Sequence, residues 1–305
     1  MRFFKYILLA AVTLCTVSCF TQKVDYDGKP LVLATTGMIA DIVRNIGGDF
    51  VVVDALMASG IDPHSHKASE RDIIKLANAS LILHNGLHLE GKLGEVLSRA
   101  QGSIPVYTVS EYIPESMLIK VSEQEADPHI WFDPELWVYA VKRVADSLVE
   151  IDPANAIYYR KNEDNYIQQL LALNVRVKKR LDNVPIKARV LVTSHDAFSY
   201  FGRAYGWEVI GIQGINTASE TSVYGIQALA KTIVQRGISC IFAETSVSTR
   251  SVEAIIASAA AMGVELRQGR HLYSDSLGHT GTGADTYIGM MEYNADAIIT
   301  GVLGI

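Results

Sequence analysis

The sequence predicts an α/β protein of two lobes, each a mainly parallel sheet flanked by helices, joined by one long rigid helix. Three observations carry this. Residues 152–182 have the periodicity of a single helix. The chain before it and the chain after it each alternate short apolar strand-like runs with helical stretches. The two halves also echo one another: Thr35-Thr36-Gly37 matches Thr193-Ser194-His195 in position, and Gly48 matches Gly206 at the same offset.

The long helix is the clearest element. Asp152 and Pro153 supply a capping side chain and a first-position proline. Tyr159, Tyr166, Leu170, Leu173, Val177 and Leu181 recur at steps of three, four and seven and form one apolar stripe. Arg160, Lys161, Glu163, Asp164, Gln168, Lys178 and Lys179 make the opposite face, and Pro185 blocks continuation. About thirty residues at about 1.5 Å each span about 45 Å, the length of a strut between two lobes holding a cleft open.

The first lobe, expected over 30–151, begins with a strand at Leu31–Thr35 and a helix from Gly37 to Ile46, stopped by Gly47-Gly48. A strand at Phe50–Leu56, the turn Ile61–His66, a helix over Ser69–Asn78 and a strand at Ser80–His84 follow. After Asn85-Gly86 a helical stretch continues to Ala100, and Ile104–Val109 is a strand. Residues 109–133 are a long polar loop, a kind of segment that usually carries function. Its end, Asp127-Pro128-His129-Ile130-Trp131-Phe132-Asp133-Pro134, restrains the backbone on both sides of His129. Asp133 and Pro134 then open a helix to about Glu150.

The second lobe, expected over 183–305, starts with the strand Arg189–Thr193, ending in Ser194-His195-Asp196. A helix carrying Phe198, Tyr200 and Phe201 stops at Gly206, and Trp207–Ile212 is the next strand. Then come a helix over Ser219–Gln235, the strand Ile238–Ala243 followed by Glu244, an alanine-rich helix over 249–262, and a short strand at Val264–Arg267. His271–Ser276, a glycine loop and a last helix from Ala284 complete the chain. The Gly278–Gly283 stretch lacks the lysine of a phosphate-binding loop.

The first 18 residues read as a secretory signal: Arg2 and Lys5, an apolar run from Tyr6 to Val17, then Ser18. The run is too short to span a bilayer, which needs about 20 residues. Thr16-Val17-Ser18-Cys19 resembles a bacterial lipobox, with Thr16 where leucine is usual. Cys19 is then the lipidated first residue and the membrane contact, and residues 19–29 are a polar tether. Of the three cysteines, Cys15 falls in the signal and Cys240 is a core residue, so the exported chain has no disulfide framework. Loss of Arg2 and Lys5 takes the net charge from −6 to −8. That balance excludes nucleic acid and anionic membrane surfaces as natural partners.

Metal chemistry is the strongest functional signal. Imidazole suits borderline metals and carboxylate suits harder ones. His64, His129, His195 and Asp275 each stand where a strand stops or a helix begins, and loops on a rigid scaffold collect binding groups. Each position has a plainer structural alternative: a turn residue at His64, a loop brace at His129, a capping pair at His195-Asp196, a turn cap at Asp275. His66 has strand spacing from His64, and His271 and His279 flank Asp275 as substitutes for it. His66, His84 and His88 otherwise face solvent or bond the backbone. An enzyme is not expected: there is no His-Glu-x-x-His pattern for a zinc hydrolase.

Four motifs in order resemble the ligand motifs of one family: Asp62-Pro63-His64, Asp127–Pro134, Ser194-His195-Asp196-Ala197-Phe198-Ser199-Tyr200-Phe201 and Tyr273-Ser274-Asp275. Asn85-Gly86-Leu87-His88-Leu89-Glu90 and Gly214-Ile215-Asn216 with Glu220 resemble it too. The family is the manganese/zinc substrate-binding proteins of ABC importers, cluster A-I, the ZnuA/PsaA/TroA class. The resemblance covers essentially the whole exported chain. It implies ligation by His64 and His129 from the first lobe and by His195 and Asp275 from the second. It also implies a lipid-anchored or periplasmic monomer that hands its cargo to a membrane permease.

The chain departs from both specialised patterns of the family. Manganese members often have a carboxylate where His195 stands, and zinc members a histidine-rich loop where residues 109–127 have no histidine. His66 replaces a usual aromatic. Three imidazoles and a carboxylate suit Zn2+, and Mn2+ or Fe2+ where the carboxylate binds through both oxygens. Members of the family have also been described as adhesins, but the sequence offers no separate adhesive module.

Overall fold

The computed structural model describes residues 27–219 and 221–305. The signal segment and Cys19 lie outside the described residues. The first sheet contains β1 (Leu31–Ala34), β2 (Val52–Ala55), β3 (Leu81–His84) and β4 (Val106–Thr108), all parallel, in the order β2-β1-β3-β4. Its strands are apolar and short, and β1 is buried throughout, as befits a strand covered on both faces. Helices α1 (Gly37–Gly47), α2 (Glu70–Asn78) and α3 (Gly94–Ala100) connect them, and α4 (Pro134–Ile151) follows. Ser69 and Asp72 form a reciprocal capping box at α2, and Asp133 caps α4 by accepting from the Glu135 and Leu136 amides.

The second half repeats the plan. It holds β5 (Val190–His195), β6 (Glu208–Gln213), β7 (Cys240–Ile241) and β8 (Arg267–Gln268), with α6 (Ser199–Tyr205), α7 (Val223–Gln235), α8 (Arg250–Ala261) and α9 (Tyr287–Leu303). The pairs β5-β6 and β7-β8 are parallel ladders. A single parallel bridge, Thr193 to Phe242, joins them through the Phe242 amide on the Val192 carbonyl at 2.9 Å. The resulting order β6-β5-β7-β8 is that of the first sheet, which gives the sequence echo a structural basis.

Between the sheets runs α5 (Ala156–Leu181), about 39 Å long at about 1.5 Å per residue. All six predicted stripe residues are buried. Two details differ from expectation. The first turn, Pro153–Asn155, is a 3-10 helix, and Asp152 does not cap it, because its carboxylate accepts from Tyr159 Oη at 2.6 Å and Asn155 Nδ2 at 2.8 Å. Glu163, assigned to the polar face, is buried in the stripe and paired with Arg160 at 2.9 Å. It stands four residues after Tyr159 and three before Tyr166, so it shares their face.

Nor is α5 a free-standing strut. It packs on α1 and α4 from the first half and on α9 from the second. One apolar core runs through all of these and on into α6. The lobes are thus packed against each other, with smaller cores under each sheet. Among the described residues no helix is long and apolar enough to cross a membrane.

Other expectations shift at their ends. The helix before Ala100 begins only at Gly94, since Leu87 and His88 have φ of 52° and 62°, which no α-helix accepts. Helix α7 begins at Val223, where Ser222 caps it, rather than at Ser219. The 109–133 loop contains three 3-10 turns, at Val109–Tyr112, Glu115–Met117 and Ile130–Phe132. Cys240 is free and buried.

Candidate metal centre

The four candidate ligands come from the carboxyl-terminal side of both sheets, where open α/β sheets gather ligands. His64 follows β2, His129 ends the loop after β4, His195 is the last residue of β5, and Asp275 follows β8. All four are buried, at 4%, 0%, 0% and 2% exposure, so the site lies in the interior between the lobes and not on a cleft wall.

One ligand atom from each lies within 4.8 Å of every other. His129 Nε2 is 3.2 Å from His64 Nε2 and 3.3 Å from His195 Nε2. The Asp275 carboxylate faces both lobes, with Oδ1 3.4 Å from His129 Nε2 and Oδ2 3.3 Å from His195 Nε2. A tetrahedron with metal–ligand bonds of about 2.0–2.1 Å has edges of about 3.3–3.4 Å. The four separations that involve His129 or the Asp275–His195 pair match such edges, while the whole set spans up to 4.8 Å. Asp275 Oδ1 is buried with no hydrogen-bond partner among the described residues, an orphan acceptor that a cation at this point satisfies.

Carboxylates behind the imidazoles set their orientation. Asp127 Oδ1 accepts the His129 amide at 2.9 Å and His129 Nδ1 at 2.7 Å. Glu244 does the same for His195: Oε1 takes the amide at 2.9 Å and Oε2 takes Nδ1 at 2.5 Å. Each pair fixes the ring so that Nε2 faces the other ligands, the arrangement that orients and strengthens metal-binding imidazoles. His64 has a lighter hold: Asp62 Oδ1 accepts its amide at 2.9 Å, while Asp62 Oδ2 accepts from Thr217 Oγ1 across the lobes at 2.7 Å. Behind His129, buried Glu90 accepts from the Asn85 amide at 2.7 Å, and Asn85 Nδ2 donates to the Pro128 carbonyl at 3.0 Å.

The charges respond accordingly. Burial disfavours the His129 imidazolium, but the charge and hydrogen bond of Asp127, with help from Asp275, push it up to about 9. Burial opposes the His195 imidazolium too, and Glu244 and Asp275 overcome it, leaving it well above the usual histidine range. Burial pushes His64 down to about 4 against the pull of Asp275, and its two histidine neighbours add to the fall. Asp275 lies well below the usual carboxylate range despite burial, because His195 and His129 stabilise its charge.

The other histidines stay out of the cluster. His66 Nε2 meets Asp72 Oδ2 at 3.2 Å, and His84 Nε2 meets Thr108 Oγ1 at 3.0 Å. Both bond side chains, in place of the solvent or backbone contacts expected. His88, His271 and His279 are exposed. Sequence reading passed over the roles of Asp127 and Glu244. An Asp two residues before a histidine signals a local turn that accepts the histidine amide, so the first was readable. The second was not, since Glu244 and His195 meet only when β5 and β7 lie side by side.

Fold and site together define a two-lobed α/β protein with an interior cluster of three imidazoles and a carboxylate that could hold a metal ion. Comparison with known proteins agrees. The chain belongs to the ZnuA family, described as zinc-uptake complex component A, periplasmic, whose model matches residues 32–301. It is 47% identical over 273 residues to the zinc-binding protein TroA of Treponema pallidum (strain Nichols), covering 90% of this chain and 89% of that protein. It is 40% identical over 297 residues to the manganese-binding lipoprotein MntA of Bacillus subtilis (strain 168), covering 95% and 97%. The solved structure of the periplasmic zinc-binding protein TroA from Treponema pallidum superposes with a TM-score of 0.88 at 46% identity, covering 90% of this chain and 99% of that one.

Proposed function

We propose that this chain is the extracytoplasmic metal-binding component of an ABC importer, capturing Zn2+ or Mn2+ between its lobes and delivering it to a membrane permease. The observation that carries the reading is the convergence of one ligand atom each from His64, His129, His195 and Asp275, all buried and within 4.8 Å of one another, with four of the separations at 3.2–3.4 Å. These four are the metal ligands, and the metal is cargo. Three imidazoles favour zinc in the usual order of affinities. The Asp275 carboxylate, with an oxygen toward each lobe, also accommodates Mn2+ or Fe2+ by binding through both oxygens. The zinc-binding and manganese-binding relatives support both cargoes. The chain is a binding protein and not an enzyme.

Residues 1–18 are the signal, Cys19 carries the lipid, 19–29 are the tether, and 30–151 and 183–305 are the lobes on either side of the 152–182 connection. The lipoprotein names of several relatives support the anchor. Because α5 shares one core with helices of both lobes, loading and release proceed by a modest rocking of the lobes and not by wide closure.

The test is elemental mass spectrometry on protein purified without chelator, beside His129→Ala. Close to one equivalent of zinc or manganese is expected in the parent and none in the variant. A parent that stays metal-free after reloading with both ions would sink the reading.

Glu244→Gln keeps an acceptor near His195 Nδ1 but removes the charge. Zinc affinity is expected to fall about 10–100-fold, the usual loss for a partner behind a ligand. Competition against a chelator of known affinity measures it, and unchanged affinity would remove Glu244 from the site's machinery.

A further inference from the structure

We infer that Trp131 is a positioning residue for the metal site, holding the His129 loop of one lobe at a set distance from the Asp275 segment of the other. The inference rests on the assignment of His129 and Asp275 as ligands. Trp131 lies two residues after His129 and is fully buried. Its Nε1–H donates across the lobes to the carbonyl of Ser274, the residue before Asp275, at 2.9 Å. Its own carbonyl accepts from Tyr287 Oη on α9 at 2.6 Å. The indole also packs edge-to-face on the His129 ring, with centroids 5.3 Å apart at 73°.

The far side of the segment is held by α9 as well. Asn294 Oδ1 accepts the Tyr273 amide at 3.0 Å, and its Nδ2 donates to the Tyr273 carbonyl at 2.7 Å. Tyr287 and Asn294 stand seven residues apart, on one face of the helix. Hydrogen bonds therefore close a ring from α9 through Tyr287 to Trp131, across to Ser274, along the backbone to Tyr273, and back through Asn294. His129 hangs on one side of this ring and Asp275 on the other.

The use of the indole N–H is specific to this residue. Trp137 and Trp207 are also buried, yet neither indole nitrogen has a hydrogen-bond partner among the described residues. Burial alone explains those two. Trp131 in addition ties one lobe to the other beside the ligands.

The ring acts on affinity through population. Metal binds tightly only when the His64–His129 half and the His195–Asp275 half are at the productive separation, and the observed dissociation constant rises as the fraction of protein in that state falls. A neutral buried hydrogen bond is worth about a factor of ten in such an equilibrium. Removing the indole N–H is thus expected to weaken metal binding about tenfold while all four ligands remain.

The experiment titrates the full chain with Co2+, reading affinity and the visible bands that report ligand geometry. The parent is compared with Trp131→Phe, Tyr287→Phe, the double variant and Trp207→Phe. Trp131→Phe and Tyr287→Phe are each expected to bind about tenfold more weakly with altered bands. The double variant should lose little more than either, because both cut one ring. Trp207→Phe should match the parent. Parent affinity and spectrum in both Trp131→Phe and Tyr287→Phe would overturn the inference while leaving the ligand assignment intact. So would an equal loss in Trp207→Phe, which would mark the effect as general loosening. A parent that takes up no Co2+ would overturn both.

Discussion

His195→Ala is expected to weaken zinc binding by a hundredfold or more. Four-ligand zinc sites are worth roughly 10–16 kcal/mol, so one ligand in four carries about 3 kcal/mol, or somewhat over two decades of affinity. A second cost falls on the fold. His195 is the partner of Glu244, whose carboxylate is buried and holds both the His195 amide and Nδ1. With alanine in place the Glu244 side chain keeps no ring partner in the interior, which lowers the stability of metal-free and loaded protein alike. Chelator competition gives the affinity, and circular dichroism reports whether the variant folds. His195→Gln, which keeps a polar side chain, guards against misreading an unfolded alanine variant. Wild-type affinity in a folded variant would show that His195 is no ligand.

The second large effect is on pH. Near neutrality the metal-free site carries protons on His129, pushed up to about 9, and on His195, raised well above the usual histidine range. His64, down at about 4, carries none. A metal must take the Nε2 positions those protons occupy, so binding releases about one proton from His129 and a further share from His195. Affinity should then rise about tenfold per pH unit between pH 6 and 8 from His129 alone, more steeply with the contribution of His195, and flatten as pH passes the folded value of His129. Calorimetry in buffers of different ionisation enthalpy counts the protons directly. Affinity that is level from pH 6 to 8 would contradict the charge state described here.

The same shift bears on stability. His129 is raised above its unfolded value of about 6.5, so its contribution to the metal-free fold is fully present below that pH. It is lost as pH rises through about 9. Asp275 is depressed, so its contribution is present above the unfolded carboxylate value and is lost in acid. Metal replaces the Nε2 protons as the partner of Asp275. Loaded protein should therefore hold its melting temperature between pH 7 and 9 while metal-free protein loses some.

Much of the molecule was legible in the chain itself. Periodicity is a local property, so the stripe from Tyr159 to Leu181 and the cap at Asp133 follow from neighbours a few residues apart. The loops that carry the candidate ligands were visible for the same reason. A histidine or aspartate set by proline or glycine at the end of an apolar run marks where a strand hands over to a binding turn. Resemblance to the family selected four such residues out of a larger set, which residue type and spacing alone left open.

Only the tertiary structure decided what lies between distant segments. Glu244 reaches His195 because Phe242 pairs with Thr193, a contact between strands some fifty residues apart. The indole of Trp131 meets Ser274 across 143 residues of chain. Local pattern predicted a strut holding a cleft open, whereas packing of α5 on α1, α4 and α9 makes one continuous core and leaves the four candidate ligands buried. Glu163 shows the physical reason on a small scale. Its charge argued for solvent, but its helical position placed it in the stripe, where Arg160 offsets its charge. Side-chain chemistry along the chain sets which groups can bind a metal. The packing of the two sheets sets which groups stand behind them, how many protons they hold, and how far apart they are kept.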